Sequence, residues 1–557
     1  MKRYSSFFLL AACCLGFLPS FAQNSRGELR EEVLDQVSKT SARQTEKNRP
    51  KTASNKKTTF VYLEHTDIIS VDESLRPGVQ LLSGNVCFRH DNALMYCDSA
   101  YFYQNENSLD AFGNVQIIQG DSVFVYGDVL YYNGNTKLAR LRNNVRLEKG
   151  DAVLTTDSLN YDRVVNLAYY YTGGVINDKL NALSSLWGQY SPDTERALFR
   201  NEVRLVNPNF TMDADTLRYN TRSKVADIVG TTHIVYQDET DIYSTLGWYD
   251  TDHERSMLLK RSLVLHKDGK SLVGDTIFYD KKHSFAEAFS KVELTDSIHK
   301  STLYGNYLHY NDSTERGLAT DSALLVDWSG EDRMYLHADT LRSFKDSIFN
   351  VSLGYYNVRV FRTDIQGICD SLIYSTRDSI ICMNGEPVLW AEGSQLSGDS
   401  IKAYTKNQKV ERVVIEQSAM ASQQVSSEYF NQLSGKEIIA YVDSGAVRKI
   451  FVNGNAETIY FPQDESDGLL VGMNKTQSSY VTMYLKAKKV DKILLTTTSA
   501  GTMFPLDEAK EKGSYLKNFF WLEEQRPKDE KDVFTYYPKT ERLKPATTTP
   551  NPPLQEP

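Results

Sequence analysis

The chain has 557 residues, of which 11% are aromatic, including 34 tyrosines. That length exceeds one ordinary compact core and predicts several domains or an array, and the aromatic content is typical of folded, strand-rich proteins. The formal net charge of −9, which becomes −11 without Lys2 and Arg3, argues against nucleic acid as the main partner.

The first 22 residues have the pattern of an export signal. Lys2 and Arg3 form a short basic region, an apolar run extends from Phe7 to Leu18, and Ser20-Phe21-Ala22 places small residues where a signal peptidase cuts. We therefore expect cleavage after Ala22. Lipidation at Cys13 is the alternative, because Leu10-Ala11-Ala12-Cys13 resembles a lipoprotein box, but the following residues stay apolar. No later segment has the roughly 20 apolar residues of a membrane helix, which predicts a soluble or peripheral mature chain.

Residues 23–59 are polar, and the stretch from Lys39 to Lys57 carries seven basic residues against one acidic residue. This composition predicts a flexible linker. Contact of the basic residues with anionic lipid head groups is an alternative.

A short alternating strand pattern returns about every 30 residues in the region 60–465. Early copies are Gly84-Asn85-Val86-Cys87-Phe88 and Gly113-Asn114-Val115-Gln116-Ile117. In each copy two apolar residues lie two positions apart, which places them on one face of a strand. These pairs are Val86/Phe88, Val115/Ile117, Val145/Leu147, Val203/Leu205, Val292/Leu294, Val358/Val360 and Val388/Trp390.

A second pattern alternates with the first and reads small residue, Asp, Ser or Thr, apolar, any, aromatic, as in the stretch from Cys97 to Phe102. The apolar alternation slips by one position at the Asp, which would turn the apolar face of a flat strand outward. We therefore predict a strand bent at this point, with the small residue inside the corner and the polar side chains satisfying freed backbone groups. The corner carboxylates are Asp98, Asp128, Asp157, Asp215, Asp275, Asp339, Asp370 and Asp399.

Together the two patterns predict an all-β array of about thirteen units, in which each unit buries its apolar face on the next. A ladder of corner carboxylates that binds calcium is the functional alternative for the aspartates. One Asp per unit, however, supplies too few oxygen ligands.

The order of these elements resembles the OstA-like family, which includes the LptA bridge protein and the N-terminal domain of LptD. The best stretch runs from Leu82 to Leu159, and Asp110-Ala111-Phe112-Gly113-Asn114-Val115 is similar to the family's linking element. The resemblance implies an elongated OstA/LptA-type β-jellyroll, an open, solenoid-like array of bent strands with a small C-terminal cap. The chain is longer than one LptA-like domain. It resembles the large OstA-like proteins of the Bacteroidetes type, or the LptD N-terminal domain without its outer-membrane barrel.

The same resemblance implies lipopolysaccharide transport in the periplasm, peripheral to the outer membrane. In this family the acyl chains of lipid A lie in an apolar trough, and protomers or other Lpt components join by strand addition at exposed sheet edges. Lipopolysaccharide, other Lpt-type components and a second copy joined end to end are therefore the expected partners. The fourteen paired apolar residues are the candidates for lining the trough, and filling a closed core is an equal alternative for each.

Four cysteines follow the export signal, as the local pairs Cys87/Cys97 and Cys369/Cys382. In an oxidising compartment each pair is a candidate disulfide. Four small buried side chains are an equal alternative, and the spacings do not match a zinc site.

Residues 466–537, where the repeat fades, are predicted to form a terminal cap, which an open array needs. Leu506 to Leu522 is expected to form a short helix with Leu516, Phe519, Phe520 and Trp521 near one face. A docking site for a partner is the alternative for this region. Residues 538–557 are rich in Thr and Pro and are expected to be a disordered tail.

The sequence contains no Gly-rich phosphate loop, H-E-x-x-H or G-x-S-x-G motif. We therefore predict a protein that is not an enzyme and needs no metal or cofactor. Three hypotheses for the function compete: a lipid carrier of the cell envelope, a structural or adhesive β-solenoid without lipid cargo, and a carbohydrate-active β-helix enzyme. An open apolar trough would favour the first, a sealed core the second and an acid-lined cleft the third.

Overall fold

The computed structural model describes residues 59–71, 78–311, 313–346, 349–391, 393–406, 409–443, 446–464, 468–486 and 489–538. The expected export signal, with Cys13, and nearly all of the linker and tail lie outside these ranges. The described residues form 38 strands and three 3-10 helices, and none of them lies in an α-helix. The predicted all-β fold is confirmed. No helix in this part of the chain is long and apolar enough to span a membrane.

The chain divides into two compact units, and the N-terminal unit contains described residues up to 267 together with 273–283. Its strands pair antiparallel, mostly as successive hairpins. The strands to this point are β1 (Tyr62–His65), β2 (Ile68–Val71), β3 (Val79–His90), β4 (Ala93–Tyr103), β5 (Ser108–Gln119), β6 (Val123–Asn133), β7 (Leu138–Lys149), β8 (Ala152–Asp162), β9 (Leu167–Tyr170), β10 (Gly174–Asp178), β11 (Asn181–Ser185), β12 (Trp187–Ser191), β13 (Arg196–Asn207), β14 (Phe210–Asn220), β15 (Val225–Ile228), β16 (Thr232–Tyr236), β17 (Thr240–Ser244), β18 (Leu246–Asp250), β19 (Arg255–His266) and β20 (Lys270–Asp280).

The C-terminal unit contains residues 268–272 and the described residues from 284 onward. The 3-10 helices are Gln104–Glu106, in the N-terminal unit, and Glu523–Gln525 and Asp532–Phe534. The remaining strands are β21 (Phe285–Asp296), β22 (Ser301–Asn311), β23 (Arg316–Thr320), β24 (Leu324–Asp327), β25 (Met334–His337), β26 (Thr340–Asp346), β27 (Phe349–Arg362), β28 (Ile365–Ser375), β29 (Ile380–Asn384), β30 (Val388–Ala391), β31 (Ser394–Ser397), β32 (Ser400–Lys406), β33 (Lys409–Gln424), β34 (Phe430–Asp443), β35 (Ala446–Tyr460), β36 (Met473–Lys486), β37 (Lys489–Thr496) and β38 (Ala500–Phe504).

The long strands are bent, and each bend divides a hairpin into two arms. In β3 and β4 the pairing runs from Val79↔Tyr103 to Ser83↔Ser99, shifts, and resumes from Val86↔Cys97 to His90↔Ala93. The residues on the Ser83 side form the first arm, and those on the Val86 side form the second arm. The same shift recurs in hairpins of both units, for example β7–β8, β13–β14, β21–β22 and β33–β34. The apolar residues that face the space between the two arms form the interior.

In many of the strands two residues in the left-handed region make the bend. Gly113 and Asn114 have φ values of +76° and +43°, a region that glycine enters freely and asparagine more readily than most residues. Nδ2 of Asn114 donates a 2.8 Å hydrogen bond to Oδ2 of Asp98 on the preceding strand. The equivalent bond joins Asn85 to Asp67, Asn144 to Asp128 and Asn357 to Asp339, at 2.9, 2.6 and 2.7 Å. An aspartate therefore fastens the bend of one strand to the bend of the next.

The predicted corner aspartates lie at these bends. Asp98, Asp128, Asp157, Asp215 and Asp370 are the residues that the ladder skips. Asp339 and Asp399 fall between two strands, and Asp275 lies 3.7 Å from Nη1 of the bend residue Arg261. The small residues beside the aspartates are enclosed, as Cys97 and Cys369 show with exposures of 5% and 1%.

Gly113→Ala is expected to lower the free energy of unfolding by about 2 kcal/mol, because the new residue is strained at positive φ. Its Cβ would also lie 2.4 Å from Oδ2 of Asp98. Urea denaturation measures the loss. Gly120→Ala is the matched control, since Gly120 has a φ of +60° but no atom within 4 Å of the added Cβ. Equal losses in the two variants would show that the contact with Asp98 adds nothing.

Two expectations about the C-terminus are wrong. The repeat of bent strands does not fade after residue 465 but continues to Phe504 in the same pairing. The last bend was hidden because Thr497 and Thr498 take the left-handed positions, with φ of +65° and +41°, where earlier copies carry Gly and Asn. Leu506–Leu522 is not a helix: residues 505–537, which we call the strap, consist of turns, extended segments and two 3-10 helices.

Candidate functional site

The interior of the N-terminal unit is closed. The predicted trough residues of this unit are all at most 2% exposed, and they pack between the two arms. In this structure these side chains therefore fill a closed core. They are Val86, Phe88, Val115, Ile117, Val145, Leu147, Val203 and Leu205.

The first arm of this unit closes the interior with alternating large and small side chains. A single row of directly paired residues crosses nine strands, with a tyrosine on one strand and an alanine on the next. Each is at most 6% exposed, as expected where large and small residues interdigitate. The row is Tyr132, Ala139, Tyr161, Ala168, Tyr190, Ala197, Tyr219, Ala226 and Tyr249.

A buried polar latch joins the ends of the two arms at Tyr132. The hydroxyl of Tyr132, on the first arm, lies 2.5 Å from Nδ1 of His90, at the end of the second arm. Nη1 of Arg163 donates to the same hydroxyl at 2.7 Å, and Nη2 donates to the His90 carbonyl at 3.1 Å. Burial lowers the pKa of His90 and raises the pKa of Tyr132. Both rings are therefore neutral near pH 7, and Arg163 carries the charge of the latch.

A second latch is centred on Tyr219. Its hydroxyl donates to Oδ2 of Asp178 at 2.5 Å and accepts from Nδ2 of Asn181 at 2.9 Å. Asp178 is 1% exposed, and Nζ of Lys224 lies 3.0 Å from its other carboxylate oxygen. Burial, followed by the bond to Asp178, raises the pKa of Tyr219. Opening this interior would break these bonds, and a carboxylate left buried without its cation is costly.

The alternation continues into the first strands of the C-terminal unit, where Ala286 pairs with Tyr310. From β29 onward it is absent, and the two inner rows nearest the bend are apolar. Ile401, Ile415, Ile438, Val452 and Val481 form a buried row beside the bend, which continues to Leu495 with 40% exposure. The next row outward is half-buried on most strands and ends at Ile493 with 51% exposure. We call this second row, with Leu495, the open face. Its members are Ile381, Ala403, Val413, Ala440, Ile450, Met483 and Ile493.

Small side chains on the second arm leave the open face uncovered. One inner row of this arm consists of Ala421, Leu433, Thr458, Thr476 and Gly501, in which only Leu433 is large. The corresponding row of the N-terminal unit contains residues of the size of Ile117. Because a side chain of at most three heavy atoms reaches less far across the interior, the apolar residues opposite remain in contact with solvent. The sequence pattern did not predict this apolar surface.

The predicted trough residues at the start of the C-terminal unit are mostly enclosed. Val292, Leu294 and Val358 are 1%, 7% and 1% exposed, and Val360 is half-buried. Leu294 borders a cavity of about 30 Å³. That volume holds about one water molecule and no acyl chain.

Val388 and Trp390 do not face the interior, contrary to the prediction. Val388 pairs with Ile368, which pairs with Arg359, whereas the interior residue Val358 pairs with Cys369. Neighbouring positions in a strand point to opposite faces, so Val388 and Trp390 lie on the outer face.

The misplacement of Val388 is a slip of one residue. The left-handed residues of this bend are Gly385 and Glu386, so Pro387 takes the first inward position that the sequence pattern assigned to Val388. A slip of one position turns every side chain of a strand to the other face. Trp390 is nevertheless 1% exposed, because the strap covers it.

The strap is held to this outer face by buried glutamines that sequence reasoning missed. Nε2 of Gln395 donates to the Phe520 carbonyl, and its Oε1 accepts from the Leu522 amide, both at 2.8 Å. Gln432 makes the same pair of bonds to the Ser514 carbonyl and the Leu516 amide, at 2.9 and 2.8 Å. Each amide side chain thus pairs with the strap backbone as a neighbouring strand would, which is why this segment is extended rather than helical.

The four cysteines are free in this structure. Cys87 pairs with Tyr96 and Cys97 with Val86, so the two thiols lie on opposite faces of the sheet. Cys382 pairs with Ile373, four positions along the strand from Cys369, a separation beyond the roughly 7 Å limit for a disulfide. The alternative of four small side chains fits this geometry, and the disulfides do not. Burial raises the pKa of Cys97 to about 12.

One groove among the described residues is bordered by carboxylates. It has a volume of about 690 Å³, lies at one bend, and is lined by Glu202, Asp213 and Asp215 together with Arg204 and His233. Arg204 Nη1 lies 3.0 Å from Asp213, and His233 lies 2.7 Å from Asp241. Ion pairs thus engage Asp213 and both basic residues of the groove, and Asp215 is a corner aspartate at the bend. Nowhere in the described residues do three His, Cys, Asp or Glu side chains come close enough together to hold a metal ion.

Comparison with known proteins supports the resemblance seen in the sequence. Residues 58–215 match the model of the family described as OstA-like protein, which confirms the recognition for that part of the chain. No curated protein matches significantly. Among solved structures, the chain matches LptH from Pseudomonas aeruginosa, the LptA-homologous periplasmic component of the lipopolysaccharide transport device. The identity is 14% over 24% of this chain and 94% of LptH, with a TM-score of 0.18, a value too low to carry any argument.

Proposed function

We propose that this protein takes part in lipopolysaccharide transport in the periplasm as a non-enzymatic lipid carrier. In this proposal, the open face of the C-terminal unit shields the acyl chains of lipid A. The observation that carries the proposal is this apolar surface, which extends over seven paired strands and includes Ile450, Met483 and Ile493. The similarity to OstA-like proteins over residues 58–215 supports it.

The energetics favour an acyl chain at this position. Each methylene that leaves water contributes about 0.8 kcal/mol, so six to eight buried methylenes supply roughly 5 to 6 kcal/mol. The receiving surface is already formed and only half-buried at Ile450 and Met483. In the N-terminal unit the same chain would have to displace buried tyrosines and break the latches at His90 and Asp178. We therefore assign cargo binding to the C-terminal unit, and the predicted trough residues of the N-terminal unit to its core.

Partners would join at the outermost strands of each unit. In the N-terminal unit β2 pairs with β3, and Ile68, Ile69 and Val71 are more than half exposed. In the C-terminal unit β37 pairs with β36, and Leu494 is 46% exposed. Strands at a sheet edge present free backbone donors and acceptors, and addition of a strand from another Lpt-type component or a second copy would use them. Export by residues 1–22 would place the protein in the periplasm, peripheral to the outer membrane, with anchoring at Cys13 the alternative.

Photocrosslinking in living cells tests the proposal. A photoreactive amino acid at Ile450 or Met483, on the open face, is expected to capture lipopolysaccharide. The same amino acid at Phe88 or Ile117, which are fully enclosed, is the matched control and is expected to capture none. Recovery of no lipid from either open-face position would refute lipid carriage by this surface. Recovery from Phe88 in equal amount would show that the N-terminal interior opens.

A structural role without lipid cargo is the second candidate. The closed interior of the N-terminal unit favours it, because a packed β-array with an enclosed aromatic and aliphatic core needs no ligand to be stable. The crosslinking experiment separates the two functions. A structural protein gives no lipid adduct at Met483, and its loss impairs the envelope regardless of substitutions on the open face.

A further inference from the structure

The turns that end the first arm of the C-terminal unit are strongly basic. They connect β32 to β33, β34 to β35 and β36 to β37. The described residues of three segments, 404–412, 441–449 and 484–492, include eight Lys or Arg and three Asp or Glu, whereas the whole chain has a formal net charge of −9. We call these three segments the basic turns. Such a concentration of one sign on an acidic protein indicates an anionic partner.

The basic side chains are largely free of carboxylate partners. Lys406, Lys409, Arg448 and Lys486 are exposed, and none of them forms an ion pair among the described residues. The nearby Lys402 differs, since its Nζ lies 2.7 Å from Glu416. In the absence of internal neutralisation, the charge of the basic turns is available to a ligand.

The basic turns continue the strands that carry the open face. Ala403 and Val413 of the open face pair directly, and the same hairpin ends in the pair Lys406↔Lys409. Met483 lies three residues before Lys486, which pairs with Lys489. At about 3.3 Å per residue the separation is roughly 10 Å. The open face is therefore followed, roughly 10 Å further along the same strands, by a row of positive charges.

We infer that the basic turns bind the phosphate-bearing head group of an anionic lipid whose acyl chains lie on the open face. This inference rests on the proposed function and specifies the chemistry of the cargo. Lysine and arginine side chains near an anionic lipid contribute about 1 kcal/mol each, and arginine pairs with phosphate oxygens through two hydrogen bonds. The apolar rows alone recognise hydrocarbon, and the basic turns add selection for phosphorylated lipids.

Binding of two lipids that differ only in the phosphate tests the inference. Dioctanoyl phosphatidate and dioctanoylglycerol carry the same acyl chains, and isothermal titration calorimetry of the mature chain gives both affinities. We expect the phosphatidate to bind more tightly, with an advantage that shrinks as NaCl screens exposed charges. Lys406→Gln, Lys409→Gln, Arg448→Gln and Lys486→Gln together should weaken phosphatidate binding about tenfold or more and leave dioctanoylglycerol within about twofold.

The matched control removes the same charge elsewhere. Lys179, Lys267, Lys282 and Lys517 are exposed residues outside the basic turns, and their combined replacement by Gln should leave both affinities unchanged. An equal loss in the control would attribute the effect to net charge and overturn the inference.

The remaining outcomes separate the inference from the proposed function. Equal affinity of the wild-type protein for the two lipids would overturn the head-group site and leave lipid carriage intact. Binding of neither lipid would refute both. Met483→Asp should weaken both lipids alike. If it changed the oligomeric state instead, with lipid binding intact, the open face would be an interface between copies.

Discussion

Replacement of Trp390 by alanine is expected to lower the free energy of unfolding of the C-terminal unit by about 3 to 5 kcal/mol, the usual cost of truncating an enclosed Trp. Trp390 is 1% exposed and packs with Ile368, Val388 and Leu522 of the strap. The truncation leaves a cavity between sheet and strap, and it removes the apolar contact that supports the glutamine bonds. Hydrogen exchange of the strap amides, together with urea unfolding, measures the loss.

Trp248→Ala is the matched control for this variant. Trp248 lies in the N-terminal unit and is only half-buried, so the same truncation should cost less than half as much. A faster exchange of the Leu516 and Leu522 amides, which donate to Gln432 and Gln395, is expected in Trp390→Ala and not in Trp248→Ala. If the two variants lost equal stability, the strap would contribute little to the packing of the outer face.

Lys224→Met is expected to destabilise the N-terminal unit by about 3 to 5 kcal/mol, because it leaves the Asp178 carboxylate buried without its cation. Nζ of Lys224 lies 3.0 Å from a carboxylate that is 1% exposed. Tyr219 and Asn181 satisfy other parts of the latch, but they carry no charge to balance the carboxylate. Urea denaturation monitored in the N-terminal unit gives the loss.

Two further variants show whether the effect belongs to the latch. Lys179→Met removes an exposed pair with Asp151, whose side chains are 67% and 58% exposed, and should cost less than about 1 kcal/mol. In the double variant Asp178→Asn and Lys224→Met, the stranded charge is gone, so the combined loss should be smaller than the sum of the single losses. Additive losses would mean that the two residues act independently and that no latch exists.

The bends were predictable because they are local. The slip of apolar alternation at Asp98 and the neighbouring Gly113-Asn114 pair mark a strand that must turn, and both lie within one hairpin. What a single repeat does not show is the bond partner of the aspartate. Asn114 is the partner of Asp98 only because β5 pairs with β4.

The face of a strand near an irregular bend was not predictable with the same certainty. Val388 and Trp390 have the same alternating pattern as Val86 and Phe88, yet they face the other way because the bend residues are Gly385 and Glu386. The apolar character of Val388 and Trp390 does not distinguish the outer face from the interior. An outer face covered by a strap needs apolar residues as much as an interior does.

The sequence by itself determined that this chain is an all-β protein built from bent strands, because alternation and bend chemistry are written in stretches of five to ten residues. Only the tertiary structure decided where the interior is closed and where it is open. Whether an inward apolar residue is buried depends on what the opposite arm places against it, and those residues are distant in the chain. His90 meets Tyr132 across 42 positions and Asn181 meets Thr251 across 70, whereas Ile450 and Met483 face an arm of small side chains. The pattern of each strand is local, but the space between two arms is a property of both.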